Sequence, residues 1–341
     1  MKKIFLMVIL FPITFEAFST IINVDNNPNR PNSYVGDLQL AVNSASSGDT
    51  LYVYPSNTSY GTISINKRLY LFGKGFDGTQ GYVSRINYLN LDTATSPATN
   101  PSGSSFQGLT INSLSCQKPN ITNIIVAGNY FNGGITLGYN CSGWLIINNY
   151  VENNINLNSN SSIIISNNIF HSGYSYPISN SNSSSVIFSH NLVVNFYYLY
   201  QVSNAIVTDN IFICSGSTNP SYMYNNIFYN NISWRTTLNP YAMPPEANIG
   251  SGNKSNQDPQ FMTALSSGDF DITKDYHLKT SSPGKNAATD GTDIGPYGGS
   301  NPFVWGGSFT IPKITEANIT NPVINVSTPI NVNVKATKAG L

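Results

Sequence analysis

Between residues 124 and 228, apolar positions recur in a fixed phase relative to an asparagine. Aligned on Asn129, Asn149, Asn168, Asn191, Asn210 and Asn226, the intervals are 20, 19, 23, 19 and 16 residues. Three places before each asparagine stand Val126, Ile146, Ile165, Phe188, Val207 and Met223. Five before come Ile124, Trp144, Ile163, Val186 and Ala205, and two after come Phe131, Val151, Phe170, Val193, Phe212 and Phe228. Strand side chains alternate with period two, so positions minus five and minus three share one face. A repeat of about 20 residues is the length of one coil of a β-solenoid. The β-branched runs and the lack of a 3.6-residue period argue against a helical solenoid. The pattern therefore predicts an all-β chain wound as a single-stranded parallel β-helix. Its asparagines are expected to face inward at a bend, amide stacked on amide, and to tolerate the left-handed backbone angles a bend needs.

The outward positions are less ordinary. Minus four reads Ile125, Leu145, Ile164, Ile187, Ile206 and Tyr222, and plus one reads Tyr130, Tyr150, Ile169, Leu192, Ile211 and Ile227. A strand apolar on both faces is normally covered on both. The chain after Gly299 is the expected cover, and a partner or an insoluble polymer is the alternative. Minus one reads Gly128, Asn148, Asn167, His190, Asp209 and Asn225. In-register stacking would bring His190 and Asp209 about 4.8 Å apart, a carboxylate orienting an imidazole as a base, with His171 near the same surface. This pair is the candidate catalytic constellation. The competing reading is a solvated turn in which His and Asp stand in for Asn. Tyr174, Tyr176, Tyr197, Tyr198, Tyr200, Tyr222 and Tyr224 follow successive cassettes and form the candidate ligand-binding strip, where rings stack on sugar faces. Stacking of these rings on one another is the alternative.

Upstream, Val35, Leu38, Ala41, Val42 and Ala45 recur at helical spacing, predicting a capping helix over about 34–46 with Asp37 in its first turn. Gly48-Asp49-Thr50 and strand-like runs at 51–54, 62–65 and 68–72 follow, with Tyr60-Gly61 between them and Gly73-Lys74-Gly75 after them. Near the other end stand Asn256-Gln257-Asp258-Pro259-Gln260-Phe261, Asp275-Tyr276-His277-Leu278, Ser282-Pro283-Gly284 and the run Asp290 to Gly299. Over roughly residues 34–300 this organisation resembles secreted bacterial right-handed parallel β-helix proteins of the pectin-lyase-like superfamily. The resemblance implies a right-handed parallel β-helix with a short N-terminal capping helix. It does not imply an activity, because that superfamily hosts lyases, hydrolases, esterases and proteins with no known reaction. Its enzymes on acidic polysaccharides use clustered carboxylates, often with calcium, and an Arg or Lys base. Its hydrolases use two or three close carboxylates. Residues 105–234 offer only Lys118, Glu152 and Asp209, on different coils, so neither apparatus can be assembled. Asp269, Asp271 and Asp275, and Asp290 with Asp293, are hard calcium-type ligands, but their spacing matches no EF-hand and turn formation accounts for them. No cofactor is expected.

Composition narrows the partners. Of 341 residues only 9% are charged, 16 basic against 16 acidic, which leaves no electrostatic footprint for nucleic acid or anionic lipid. Lys2 and Lys3 precede an apolar stretch from Ile4 to Phe15 and the small-residue site around Ala17 and Ser19. That is the pattern of a signal peptide over 1–19, too short for a transmembrane span, and it predicts a secreted or cell-surface protein. The expected domains are the β-helix at 20–300, with asparagine coils at about 120–232, and a β tail at 301–341 docked on the solenoid. Within that tail Ile330, Val332 and Val334 should pair with the run 323–326. Cys116, Cys141 and Cys214 are too few for a disulfide framework and read as buried reduced thiols, Cys116 and Cys141 about one coil apart. The resulting expectation is binding of a carbohydrate or another cell-surface polymer without catalysis. The alternatives are a polysaccharide-active lyase or esterase and a purely structural or adhesin module.

Overall fold

The computed structural model describes residues 19–77, 82–95, 98–158, 162–171, 176–181, 185–195, 199–213, 223–234, 242–265, 270–307, 313–319 and 332–337. They form a parallel β-solenoid. One wall is an eleven-stranded parallel sheet that begins at Ile21–Val24 and Thr50–Val53, passes through Ser105–Gln107, Ile125–Ala127 and Leu145–Ile147, and ends at Ile249–Ser251. The other two walls belong to a fourteen-stranded sheet in which the long strand Thr110–Cys116 spans the corner between them. Along the coils Ile125, Leu145, Ile164, Ile187, Ile206, Ile227 and Ile249 are successive register partners.

The predicted cap is present as the helix Leu38–Ser44. Asp37 is its N-cap, its carboxylate accepting the Leu40 N–H at 2.8 Å, and Leu38, Ala41 and Val42 are buried over the open end of the solenoid core. The run 68–72 shortens to Tyr70–Phe72, and Gly73 follows where the chain runs against the Gly108 carbonyl so closely that a Cβ would collide with it. The inward columns are fully buried: Val126, Ile146, Ile165, Phe188, Val207 and Phe228 at minus three, and Phe131, Val151, Phe170, Val193 and Phe212 at plus two. Phe170, Phe188 and Phe212 stack along the axis at 5.7 and 6.2 Å.

The asparagine ladder differs from expectation in two ways. Asn129 donates its N–H and its side-chain amide to Asn149 Oδ1 at 2.9 and 3.1 Å, and its amide also reaches the Phe106 carbonyl. The same pattern runs through Asn168, Asn191 and Asn210, but the next rung is Asn231, followed by Asn253, and not Asn226. Strand register is the reason: Ile206 pairs with Ile227 and Ile211 with Ile232, so Phe228 continues the column of Val207. Met223 pairs instead with Val202 on another wall. Asn226 occupies the minus-five corner, where it accepts from the Ala205 N–H and donates to Asn248 Oδ1, starting a second short ladder. The second correction concerns the bend. The left-handed residue precedes each ladder asparagine: Gly128, Asn148, Asn167, His190, Asp209 and Asn230 all have φ between 50° and 60°. Gly, Asn, Asp and His are the residues that most readily adopt this conformation.

The outward columns part company. At plus one, Tyr150, Ile169, Leu192, Ile211 and Ile232 are buried under the segment 258–307, which contributes Phe261, Tyr276, Leu278, Ile294 and Phe303 to a second apolar core. The cover thus begins well before Gly299, in the motif-bearing run that starts near Asn256, and ends with Trp305 set edge-on against Phe76 at 5.2 Å. The minus-four column stays open, with Ile125 37%, Ile164 40%, Ile206 42% and Ile249 66% exposed. Beyond residue 307 the described elements are an antiparallel pair, Lys313–Ile319 with Val332–Thr337. The C-terminal strand pairs with 313–319, and Ile330 and the run 323–326 expected beside it lie outside the described residues.

Candidate functional site

The left-handed bend residues of adjacent coils set His190 beside Asp209, with Nε2 3.7 Å from Asp209 Oδ2. The pair is not outward to solvent. His190 and Asp209 are both buried, and Gly299 lies so close that a Cβ there would sit 3.1 Å from the His190 ring. Asp209 Oδ1 accepts from the Thr289 N–H and hydroxyl at 2.8 and 3.0 Å, Oδ2 accepts from Thr208, and the Asp209 carbonyl accepts the Gly295 N–H. One rung away, the Asn167 amide donates to the carbonyls of Pro296 and Gly298. The second carboxylate near His190 is Asp290, at 3.7 Å. Burial works to raise the Asp290 carboxyl, and the Thr292 hydroxyl and N–H together with His190 overcome it and hold it low. Chemically this column fastens the segment 258–307 to the solenoid.

His171 belongs to a different cluster. The Tyr150 hydroxyl donates to Glu152 Oε1 at 3.3 Å and meets His171 Nδ1 at 3.4 Å, while the Phe270 ring lies 5.0 Å from the imidazole. Burial lowers the His171 pKa, partly countered by Glu152. Burial and then Glu152 push Tyr130 up to about 12 and Tyr150 further up. These groups therefore rest neutral around the Glu152 carboxylate at neutral pH.

Of the aromatic strip, Tyr174, Tyr197, Tyr198 and Tyr222 lie outside the described residues. Tyr176 and Tyr200 stack on each other at 4.7 Å and 25°, both half-buried, and Tyr224 is exposed on the next coil. Of the described members, Tyr176 and Tyr200 thus stack on each other while staying half-exposed, and Tyr224 offers an open face.

A further concavity lies over the strands Arg85–Leu91 and Thr110–Cys116 and the first two asparagine coils. Two clefts of 460 and 220 Å³ adjoin at Tyr88. The larger is lined by Asn90, Ser113, Ser115, Gln117, Thr136 and Asn154, and the smaller by Arg85, Asn87, Thr110, Asn112 and Asn132. Register aligns them as ladders of outward side chains: Arg85 on Thr110, Tyr88 on Ser113, Asn90 on Ser115, and Ser115 on Thr136. The Tyr88 ring is 49% exposed and forms the ridge between the two clefts. Thr110 Oγ1, buried in the wall of the smaller cleft, has no protein partner. Sequence reasoning missed this surface because it was searched for at the cassette positions, whereas its residues stand on Arg85–Leu91, on Thr110–Cys116 and past the cassettes at Asn132, Thr136 and Asn154. The alternation of Tyr88 and Asn90 with the buried Leu89 and Leu91 was the available signal. No group of three or more His, Cys, Asp or Glu side chains gathers as a metal site among the described residues.

No protein-family profile matches the chain, and no curated protein matches it. Among solved structures the chain is similar to a pectin methylesterase in complex with a hexasaccharide, at 10% identity and a TM-score of 0.29, covering 74% of this chain and 92% of that one.

Proposed function

We propose that this protein binds an uncharged polysaccharide or another carbohydrate-bearing cell-surface polymer in the groove over Tyr88, without cleaving it, as a secreted or cell-surface protein. The observation that carries the reading is the lining of that groove: side-chain amides and hydroxyls, with a half-exposed tyrosine ring at its centre. Amides and hydroxyls donate and accept at once, which suits sugar hydroxyls, and an aromatic face suits the apolar face of a sugar ring. The stacked register repeats these groups at about 4.8 Å along the axis, a spacing that favours an extended ligand lying along the coils. Arg85 is the one formal charge lining the two clefts, so paired-carboxylate chemistry has no support there.

Binding of the mature chain to immobilised glycans, followed with Tyr88→Ala and Asn112→Ala variants, tests the reading. The expected result is a five- to tenfold weaker affinity for Tyr88→Ala, the size of one lost aromatic contact. Undiminished binding by both variants would move the site elsewhere. Release of shortened or de-esterified product would instead favour the lyase or esterase alternative, and silence on all glycans the structural one.

A further inference from the structure

Two of the three cysteines meet across adjacent coils. Cys116 ends the strand Thr110–Cys116, and Cys141 stands in the turn that follows Ile135–Thr136 on the next coil. Register alone does not pair them, since Leu114 and Ser115 face Ile135 and Thr136, which sets Leu137 next in line. The turn brings them together. Thr122 bridges Ser142, folding the two turns over each other, and both thiols point at the Lys118 carbonyl, at 3.6 and 3.7 Å. The sulfurs come to 3.8 Å, van der Waals contact, with both side chains fully buried.

We infer that Cys116 and Cys141 form an oxidisable pair that closes into a disulfide tying the first asparagine coil to the coil before it. Nothing large must move: two sulfurs already in contact need only side-chain rotation and a small approach of the turns. The cover over them is a single turn thick, and Gln117, Lys118, Pro119 and Asn120 on one coil and Tyr139 and Asn140 on the other are all exposed. Local opening of such a turn admits a small oxidant without unfolding the coils. Either thiol can donate to the other across the contact, so one S–H stabilises the thiolate of its neighbour when the turn opens, and that thiolate is the attacking group.

With a small-molecule disulfide such as oxidised glutathione as oxidant, one thiolate of the pair attacks one sulfur and expels one glutathione thiolate, leaving a mixed disulfide. The other thiol then gives up its proton, attacks the protein sulfur of that mixed disulfide and expels the second glutathione. The protein loses two hydrogens and two glutathiones are formed. The bond closes a loop between positions 25 apart, so it constrains the unfolded chain and is expected to raise Tm by about 5 °C.

The experiment incubates the full mature chain carrying Cys214→Ser with oxidised glutathione, alkylates free thiols on unfolding, and maps peptides by mass spectrometry. The expected product is a Cys116–Cys141 linked peptide, with a Tm several degrees above that of the reduced chain. The added variant Cys141→Ala should show no oxidant-dependent change in Tm. Two alkylated thiols after prolonged oxidation, a terminal mixed disulfide with glutathione, or an intermolecular dimer would each overturn the inference. A linked peptide with no gain in Tm would overturn the claim that the bond ties the coils.

Discussion

A buried asparagine is tolerable only when its amide is matched on both sides, and in this chain each ladder asparagine is matched by the next. Asn168 Oδ1 accepts from the Asn149 N–H and amide, and its own amide reaches the Ile146 carbonyl and Asn191 Oδ1. Asn168→Ala removes all of these at once, leaves the buried Asn149 N–H without a partner and reduces the Asn149 amide to its bond with the Val126 carbonyl, so a loss of about 3 kcal/mol is expected in urea denaturation. His171 makes a second residue-scale prediction. Its folded pKa lies below the ordinary value of about 6.5 because it is buried, with Glu152 pulling the other way and Tyr150 and Phe270 packed against it. Between pH about 6.5 and that lower folded value, the unfolded chain holds a proton the folded chain lacks. Stability therefore falls as the pH drops through this window. Tm measured from pH 7.5 to 5 should decline, and His171→Gln should flatten the decline. The lowered carboxyls Asp271, Asp275 and Asp290 lose their contribution only below about pH 4, so they do not mimic it. The ladder itself was legible in the sequence, as a recurring Asn in phase with apolar neighbours. Its sixth member was not: the interval of 16 residues to Asn226 is too short for a coil, whereas Asn231 lies 21 from Asn210.

At the scale of elements, the segment 258–307 is a clamp with two kinds of hold. Its apolar side chains fill the plus-one column, and the minus-one column supplies polar anchors from Asn167, Asp209 and Asn230. Asp209→Ala takes the acceptor from the Thr289 N–H at the edge of the segment and removes the buried carboxylate that Thr208 and Thr289 share. The expected cost is about 2 kcal/mol, read as faster proteolysis within 258–307 and faster amide exchange at Thr289 while the coils stay protected. Unchanged proteolysis would mean that apolar packing alone holds the clamp. The register that joins His190 to Asp209 could be read from the repeat. The lid over them could not, because Thr289, Gly295 and Gly299 lie some 80 to 110 residues away and carry no periodic mark.

For the whole molecule, the difference between the two outward columns is the main consequence of the tertiary structure. The plus-one column is core, and the minus-four column is surface. Ile164→Lys and Ile206→Lys together should lower the binding of a hydrophobic dye and lower Tm by only about 2 °C, because both residues are already some two-fifths exposed and the Lys stems keep part of the contact. A fall in Tm of the size produced by a core substitution would show this face to be covered in solution. The groove over Tyr88 belongs to the same scale, since its two clefts are made by four coils side by side and no single coil contains either.

The sequence by itself determined the wall: a parallel β-solenoid, its capping helix on Asp37, its inward columns and its stacked asparagines. All of these follow from a period that repeats at short range, so each coil specifies its own contacts with the next. Only the tertiary structure decided which outward column is buried, which bend residues are sealed, which asparagine continues the ladder and where a ligand-sized groove opens. Those outcomes depend on the 258–307 segment folding back and on register carried across several coils. They are long-range contacts, with no repeated local pattern to announce them.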